Sequence, residues 1–143
     1  MKQFGSRVAA LDIGSVRIGV ALSDPSRTLV TPRGSVPFAS PQEAKVSIAI
    51  LCGEDWEETS EIILGLPISL SGEENQATEQ IREWGKQLGE VAGKRIHFFD
   101  ERFSSIEAWR KLREGGNDSR SGKGKVDGAA AAVILEGWLA NCS

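Results

Sequence analysis

The sequence predicts an α/β protein with a mixed five-stranded sheet, an antiparallel meander plus parallel strands, flanked by helices on both faces. Three observations lead there. The first forty residues hold three strand-like segments separated by tight turns. Helical and strand-like segments then alternate, the pattern that builds parallel pairing. Apolar residues recur every second position early in the chain and at three- and four-residue steps later.

Arg7 to Ile13 is a run of small and branched apolar residues, the pattern of a buried strand. Val16 to Ser23 alternates through Ile18, Val20 and Leu22, and Gly14-Ser15 between the two runs suits a hairpin turn. Asp24-Pro25-Ser26 is a second turn, and Arg27 to Val36 reads as a third strand in which Pro32 marks an edge or a break. Ser40 and Pro41 open a helix reaching about Cys52. Glu61 to Leu66, with Ile62-Ile63-Leu64, reads as a fully buried strand, and Gly65, Pro67 and Gly72 mark the loop after it. Glu73 to Ala92 is the clearest helix, carried by Ala77, Ile81, Trp84, Leu88 and Val91. Lys94 to Phe99 is a fifth strand. Ser104 and Glu107 form a capping-box pattern for a helix to about Arg113. Gly115 to Gly124 is a polar, glycine-rich loop, and Val126 to Ala140 an alanine-rich helix.

The chain has 143 residues, which fits one domain over 1–143 with enough core to fold without a disulfide or metal staple. Two cysteines, Cys52 and Cys142, and a single histidine, His97, leave too few ligands for a zinc site. No run approaches the ~18 apolar residues of a membrane span. Met1 to Ser6 lacks the apolar core of a secretory signal, so the expected location is cytoplasmic. The net charge of −3 hides a pattern. Residues 1–39 carry five basic and two acidic groups, residues 40–93 three basic and eleven acidic, and residues 94–125 nine basic and five acidic. A uniformly basic nucleic-acid binder is excluded, whereas a locally basic face is not.

Three acids stand out. Asp12 interrupts the apolar run Val8 to Ile13, where a carboxylate is costly to bury unless paired or bound to a cation. Glu101, in Asp100-Glu101-Arg102, follows a strand whose end lies at the edge where α/β sheets place their sites. Asp127 opens a helix that is otherwise almost uncharged. Each has a structural reading of its own: a bond to the turn at Gly14, a surface ion pair, and favourable charge at a helix N-terminus. Together they say more. Three converging carboxylates repel one another unless cations intervene. Hard oxygen ligands suit Mg²⁺ or Mn²⁺, and two such ions can drive phosphodiester hydrolysis.

Leu11-Asp12-Ile13-Gly14 with Arg17-Ile18-Gly19-Val20-Ala21, Gly65-Leu66-Pro67, Asp100-Glu101-Arg102-Phe103-Ser104-Ser105 with Glu107-Ala108, and Val126-Asp127 with Ala129-Ala130-Ala131 resemble, in that order, the motifs of the YqgF family. That resemblance implies a ribonuclease H-like fold. It also implies a nuclease of the kind described as a Holliday-junction resolvase or as maturing the 5′ end of pre-16S ribosomal RNA. Asp12, Glu101 and Asp127 would be its metal-binding triad, with Mg²⁺ or Mn²⁺ as cofactor. This chain departs from the pattern at Val16, where the family often has Lys, and at Ser69 and Ser71, where it often has Asn and Asp.

Arg110, Lys111, Arg113, Arg120, Lys123 and Lys125 precede Asp127 in and beside the glycine-rich loop. Arg120, Lys123 and Lys125, with Arg17 and Arg102, are the candidate phosphate contacts. Expected partners are nucleic acid, pre-16S rRNA ahead of branched DNA, and the ribosome or its precursor, with no membrane and a monomer or weak homodimer. Two other readings compete. Asp12-x-Gly14 before a hairpin also resembles the phosphate-binding start of actin-like ATPases, although 143 residues cannot supply their second lobe. The other is an RNA- or ribosome-binding protein that does not cut.

Overall fold

The computed structural model describes residues 6–67, 75–103 and 128–142. Strands β1 (Arg7–Ile13), β2 (Arg17–Ser23) and β3 (Val30–Pro37) form the antiparallel meander. Helices α1 (Pro41–Cys52) and α2 (Glu54–Glu57) follow. Strands β4 (Thr59–Leu66) and β5 (Arg95–Asp100) flank helix α3 (Gln76–Ala92), and a 3₁₀ turn covers Glu101–Phe103. Helix α4 spans Ala129–Cys142. The sheet order is β3-β2-β1-β4-β5, with β4 parallel to both β1 and β5. This is the expected α/β ribonuclease H-like architecture. Pro32 lies on an edge strand, where its missing N–H costs no ladder bond.

Two-residue alternation divides the core into two layers. Leu11, Ile18, Val20, Leu22, Ile62 and Leu64 face α1 and α3. Val8, Ala10, Ala21, Ile63 and Phe99 face α4, meeting Ala131, Ile134 and Leu135. Each large aliphatic side chain so buried contributes about 1.5–3 kcal/mol.

Element bounds differ from the sequence reading where local chemistry intervenes. The third strand starts at Val30 rather than Arg27 because the Asp24 carboxylate accepts the N–H groups of Thr28 (2.8 Å) and Leu29 (3.0 Å). These bonds extend the turn and hold Arg27 at a left-handed φ of 64°. The segment around Trp56, to which the sequence reading gave no element, is helix α2. Trp56 is buried there, and the Lys94 ammonium sits 4.7 Å from its ring centroid. The last helix begins at Ala129, not Val126, and Asn75 caps α3 through a reciprocal bond with Thr78. The helix expected from Ser104, the basic glycine-rich loop and Asp127 lie outside the described residues.

Candidate active site

Asp12 is the penultimate residue of β1, and alternation turns it toward the α4 face, in line with Val8 and Ala10. Its partner across the hairpin is Gly19. A Cβ at Gly19 would lie 3.6 Å from the Asp12 Cβ and 3.6 Å from the Cα of Gly128. The absence of a side chain there lets the N-terminal end of α4 come down beside Asp12. Gly128 itself has φ 89°, and a Cβ on it would meet the Val20 carbonyl oxygen at 2.6 Å and the Gly34 backbone at 3.0 Å. It docks where β3 bulges: Val20 pairs with Gly34 but Ala21 with Pro32, and Gly34 has φ 131°.

Glu101 follows β5 in the 3₁₀ turn and is only 8% exposed. Its side chain lies over Gly65 of β4. A Cβ at Gly65 would sit 2.7 Å from Glu101 Oε2 and 2.8 Å from Ile134 Cδ1. The last registered pair of β1 and β4 is Leu11 with Leu64, so Asp12 and Gly65 are each one step beyond it on the same face. With strands about 4.8 Å apart, the Glu101 carboxylate lies roughly one strand spacing from the Asp12 position. The bare backbone of Gly65 lets an acid just past the edge strand reach toward the centre of the sheet.

Arg17 shares this face through the alternation Arg17, Gly19, Ala21, and its Nε donates to Ser35 Oγ at 2.8 Å. Arg102 turns back on Asp100, donating to Oδ2 from Nε (3.0 Å) and a terminal nitrogen (2.6 Å), with its backbone N–H on Oδ1. The Arg102 hydrogen bonds hold the Asp100 carboxyl below its ordinary range. Arg102 is thus an ion-pair partner of Asp100 in the structure. Asp127, Arg120, Lys123 and Lys125 lie outside the described residues.

His97 is packed rather than poised as a base. Its ring contacts Trp138 of α4 at 5.2 Å, and Nε2 is 2.7 Å from Glu61 Oε1. Burial pushes the Glu61 carboxyl up, but the His97 hydrogen bond and the Arg27 guanidinium outweigh it and hold the group below its ordinary value.

Sequence reasoning quoted Gly19 and Gly65 as motif residues and gave no site role to them, to Gly128 or to Ser35. The available signal was alternation: Gly19 falls on the same side of its strand as Arg17, at a position where a β2 side chain would confront Asp12.

Among the described residues no group of three or more His, Cys, Asp or Glu side chains forms a metal cluster. Two acids of the expected triad are described, and the third adjoins Gly128. Two oxygen-donor acids on one sheet face, one of them in a glycine cradle, fit a hard divalent cation.

A five-stranded mixed sheet of order β3-β2-β1-β4-β5, with acids at the ends of β1 and β5, is a ribonuclease H-like fold. The family model RuvX, described as Holliday junction resolvase, matches residues 6–141, and the chain belongs to this YqgF-like family. Relatives named "Putative pre-16S rRNA nuclease" include one from Anaeromyxobacter sp. (strain Fw109-5), 38% identical over 93% of this chain and 96% of its own. Another, from Rhodococcus erythropolis, is 39% identical over 94% of this chain and 77% of its own. The fowlpox virus resolvase, solved with Holliday junction DNA, has the same fold: TM-score 0.51, 14% identity, 95% of this chain and 98% of that one. Among the described residues no helix is long and apolar enough to cross a membrane.

Proposed function

We propose that this chain, acting as one domain in the cytoplasm, is a metal-dependent nuclease that hydrolyses a phosphodiester bond in the 5′ leader of pre-16S rRNA. Asp12, Glu101 and Asp127 would hold Mg²⁺ or Mn²⁺. The observation that carries the reading is Glu101, a carboxylate buried over Gly65 on the face and at the sheet end that Asp12 occupies. The names of relatives that match most of the chain support the RNA substrate.

The cation would supply activation of the attacking water and stabilisation of the leaving oxygen. The protein's own part is positional. Gly65 gives Glu101 its reach, Gly19 lets Gly128 and the start of α4 come down beside Asp12, and Arg17, steadied by Ser35, would orient a phosphate. In-line attack would leave 5′-phosphate and 3′-hydroxyl ends. Arg120, Lys123 and Lys125 would add sequence-tolerant phosphate contacts.

The description of the matching family supports a second reading, cleavage of a four-way DNA junction. That reaction needs two symmetric cuts and therefore a dimer. One experiment separates the two: a pre-16S leader RNA and a four-way junction are incubated with Mn²⁺ or EDTA, using wild type and Asp12→Asn. We expect cutting of the RNA that requires both the metal and Asp12. Paired symmetric cuts in the junction alone would make the chain a resolvase, and undiminished cutting by Asp12→Asn would remove the triad from the mechanism.

A further inference from the structure

An apolar cleft of about 410 Å³ lies on the other side of the sheet edge from the acids. Its floor is the β1–β2 turn, Ile13 to Ser15, which begins one residue after Asp12. Its walls are Phe38, at the end of β3, and the first turns of α3, through Gln80, Ile81 and Trp84. The wall is stiff. The Phe38 and Trp84 rings stack with centroids 5.8 Å apart and planes 28° apart, and the Trp84 indole N–H donates to the Ala39 carbonyl at 2.9 Å. The turn is tied down as well: the Phe38 N–H donates to the Val16 carbonyl at 2.8 Å, and the Gly14 N–H to Arg17 at 2.9 Å. Phe38 is still 42% exposed and Val16 71%.

We propose that this cleft binds one unstacked nucleobase of the substrate, the base beside the phosphate held at Asp12 and Glu101. The proposal rests on the nuclease reading above and adds a second subsite to it. Among the described residues none that lines the cleft is charged, so it does not suit a phosphate, whereas a flat neutral ring suits a Phe–Trp wall. Ser15 and Gln80 are the polar side chains among its described lining, placed to meet the edge of a heterocycle. The volume lies near the lower end of the 300–1,000 Å³ typical of small-ligand sites, roughly the size for a ring system rather than a partner's helix. Continuity settles the choice of occupant. A strand crossing the sheet edge at Gly14 passes from the acids directly into the cleft, so binding there would pull one base out of its stack and expose the adjoining phosphate.

The test is binding, read apart from cleavage. Full-length protein is titrated in EDTA against a fluorescent pre-16S leader RNA and a four-way junction, each carrying a single abasic nucleotide moved through the sequence. The proteins are wild type and Ala77→Leu, which plugs the cleft from an exposed position on α3, with melting temperatures confirming that both fold. We expect one abasic position to weaken wild-type binding by at least about fivefold and to have no effect on Ala77→Leu. Absence of any sensitive position, persistence of the effect in Ala77→Leu, or failure of wild type to bind either nucleic acid would each overturn the proposal. Unchanged nucleic-acid binding by Ala77→Leu together with lost association with ribosomal particles would assign the cleft to a protein partner instead, again overturning it. A protein that binds with the expected abasic signature but cuts nothing would refute the nuclease reading and leave the base subsite standing.

Discussion

Gly65 shows how much of the site depends on a missing side chain. The space its Cβ would need is filled by a Glu101 oxygen at 2.7 Å and an Ile134 methyl at 2.8 Å. Gly65→Ala must push one of them away. Overpacking of this kind costs about 1–3 kcal/mol, while a displaced Glu101 costs function. The expected outcome is a folded variant with a modestly lower melting temperature and cleavage reduced at least tenfold; wild-type turnover would show that Glu101 does not depend on Gly65. The two acids were legible in the sequence because charge inside or just after an apolar run is anomalous. Gly65 was not, because a glycine within a strand resembles the first residue of a loop. An ion pair in Asp100-Glu101-Arg102 was legible, while the choice of Asp100 as the partner of Arg102 depends on the 3₁₀ turn that follows β5.

At the scale of elements, most of the fold could be read. Period-two alternation gave β2, continuous apolar runs gave β1 and β4, and the five-residue series from Ala77 to Val91 gave α3. The misses have local causes. Helix α2 is four residues long and too short to display a period. The start of β3 depends on side-chain bonds from Asp24 that compete with strand pairing. Strand order was open: Asp12 and Glu101 share one face and end of the sheet although β4 separates their strands, an arrangement that no local pattern encodes. The seating of α4 is likewise a tertiary fact, set by Gly128 against the β2–β3 backbone at the Gly34 bulge. Gly128→Ala faces both an unfavourable φ, about 1–2 kcal/mol, and a contact of 2.6 Å with the Val20 carbonyl. It should lift the start of α4 off the sheet. We expect faster amide exchange in the first turn of α4 and loss of cleavage, with β1, β2 and β4 still protected. Unchanged exchange in α4 would show that its seating does not rest on this glycine.

For the whole molecule, charge predicts the response to acid. Asp55, Glu61 and Asp100 all have carboxyls held below their ordinary values. For Asp55 the Arg33 hydrogen bond dominates, for Asp100 the Arg102 hydrogen bond, and for Glu61 the His97 and Arg27 interactions outweigh burial. A carboxyl lowered in the folded state binds protons more weakly there than in the unfolded chain. Its contribution is therefore complete above the ordinary carboxylate pKa of about 4 and is lost as the pH falls through the lowered folded value. Melting temperatures should vary little with these groups between pH 7 and 5 and fall below about pH 4, with a shallower fall in Glu61→Gln. A melting temperature that rose on acidification would contradict these ion pairs.

The position of α4 after all five strands has a consequence in time. A polypeptide is made from its N-terminus, so the sheet face carrying Asp12 can pair its strands before the helix that covers it has emerged. Until Gly128 finds the bulge at Gly34, the acids have no roof and the proposed third acid no address. Such an enzyme arms itself late. A partly made copy, still tethered beside the RNA that encodes it, would hold an incomplete blade.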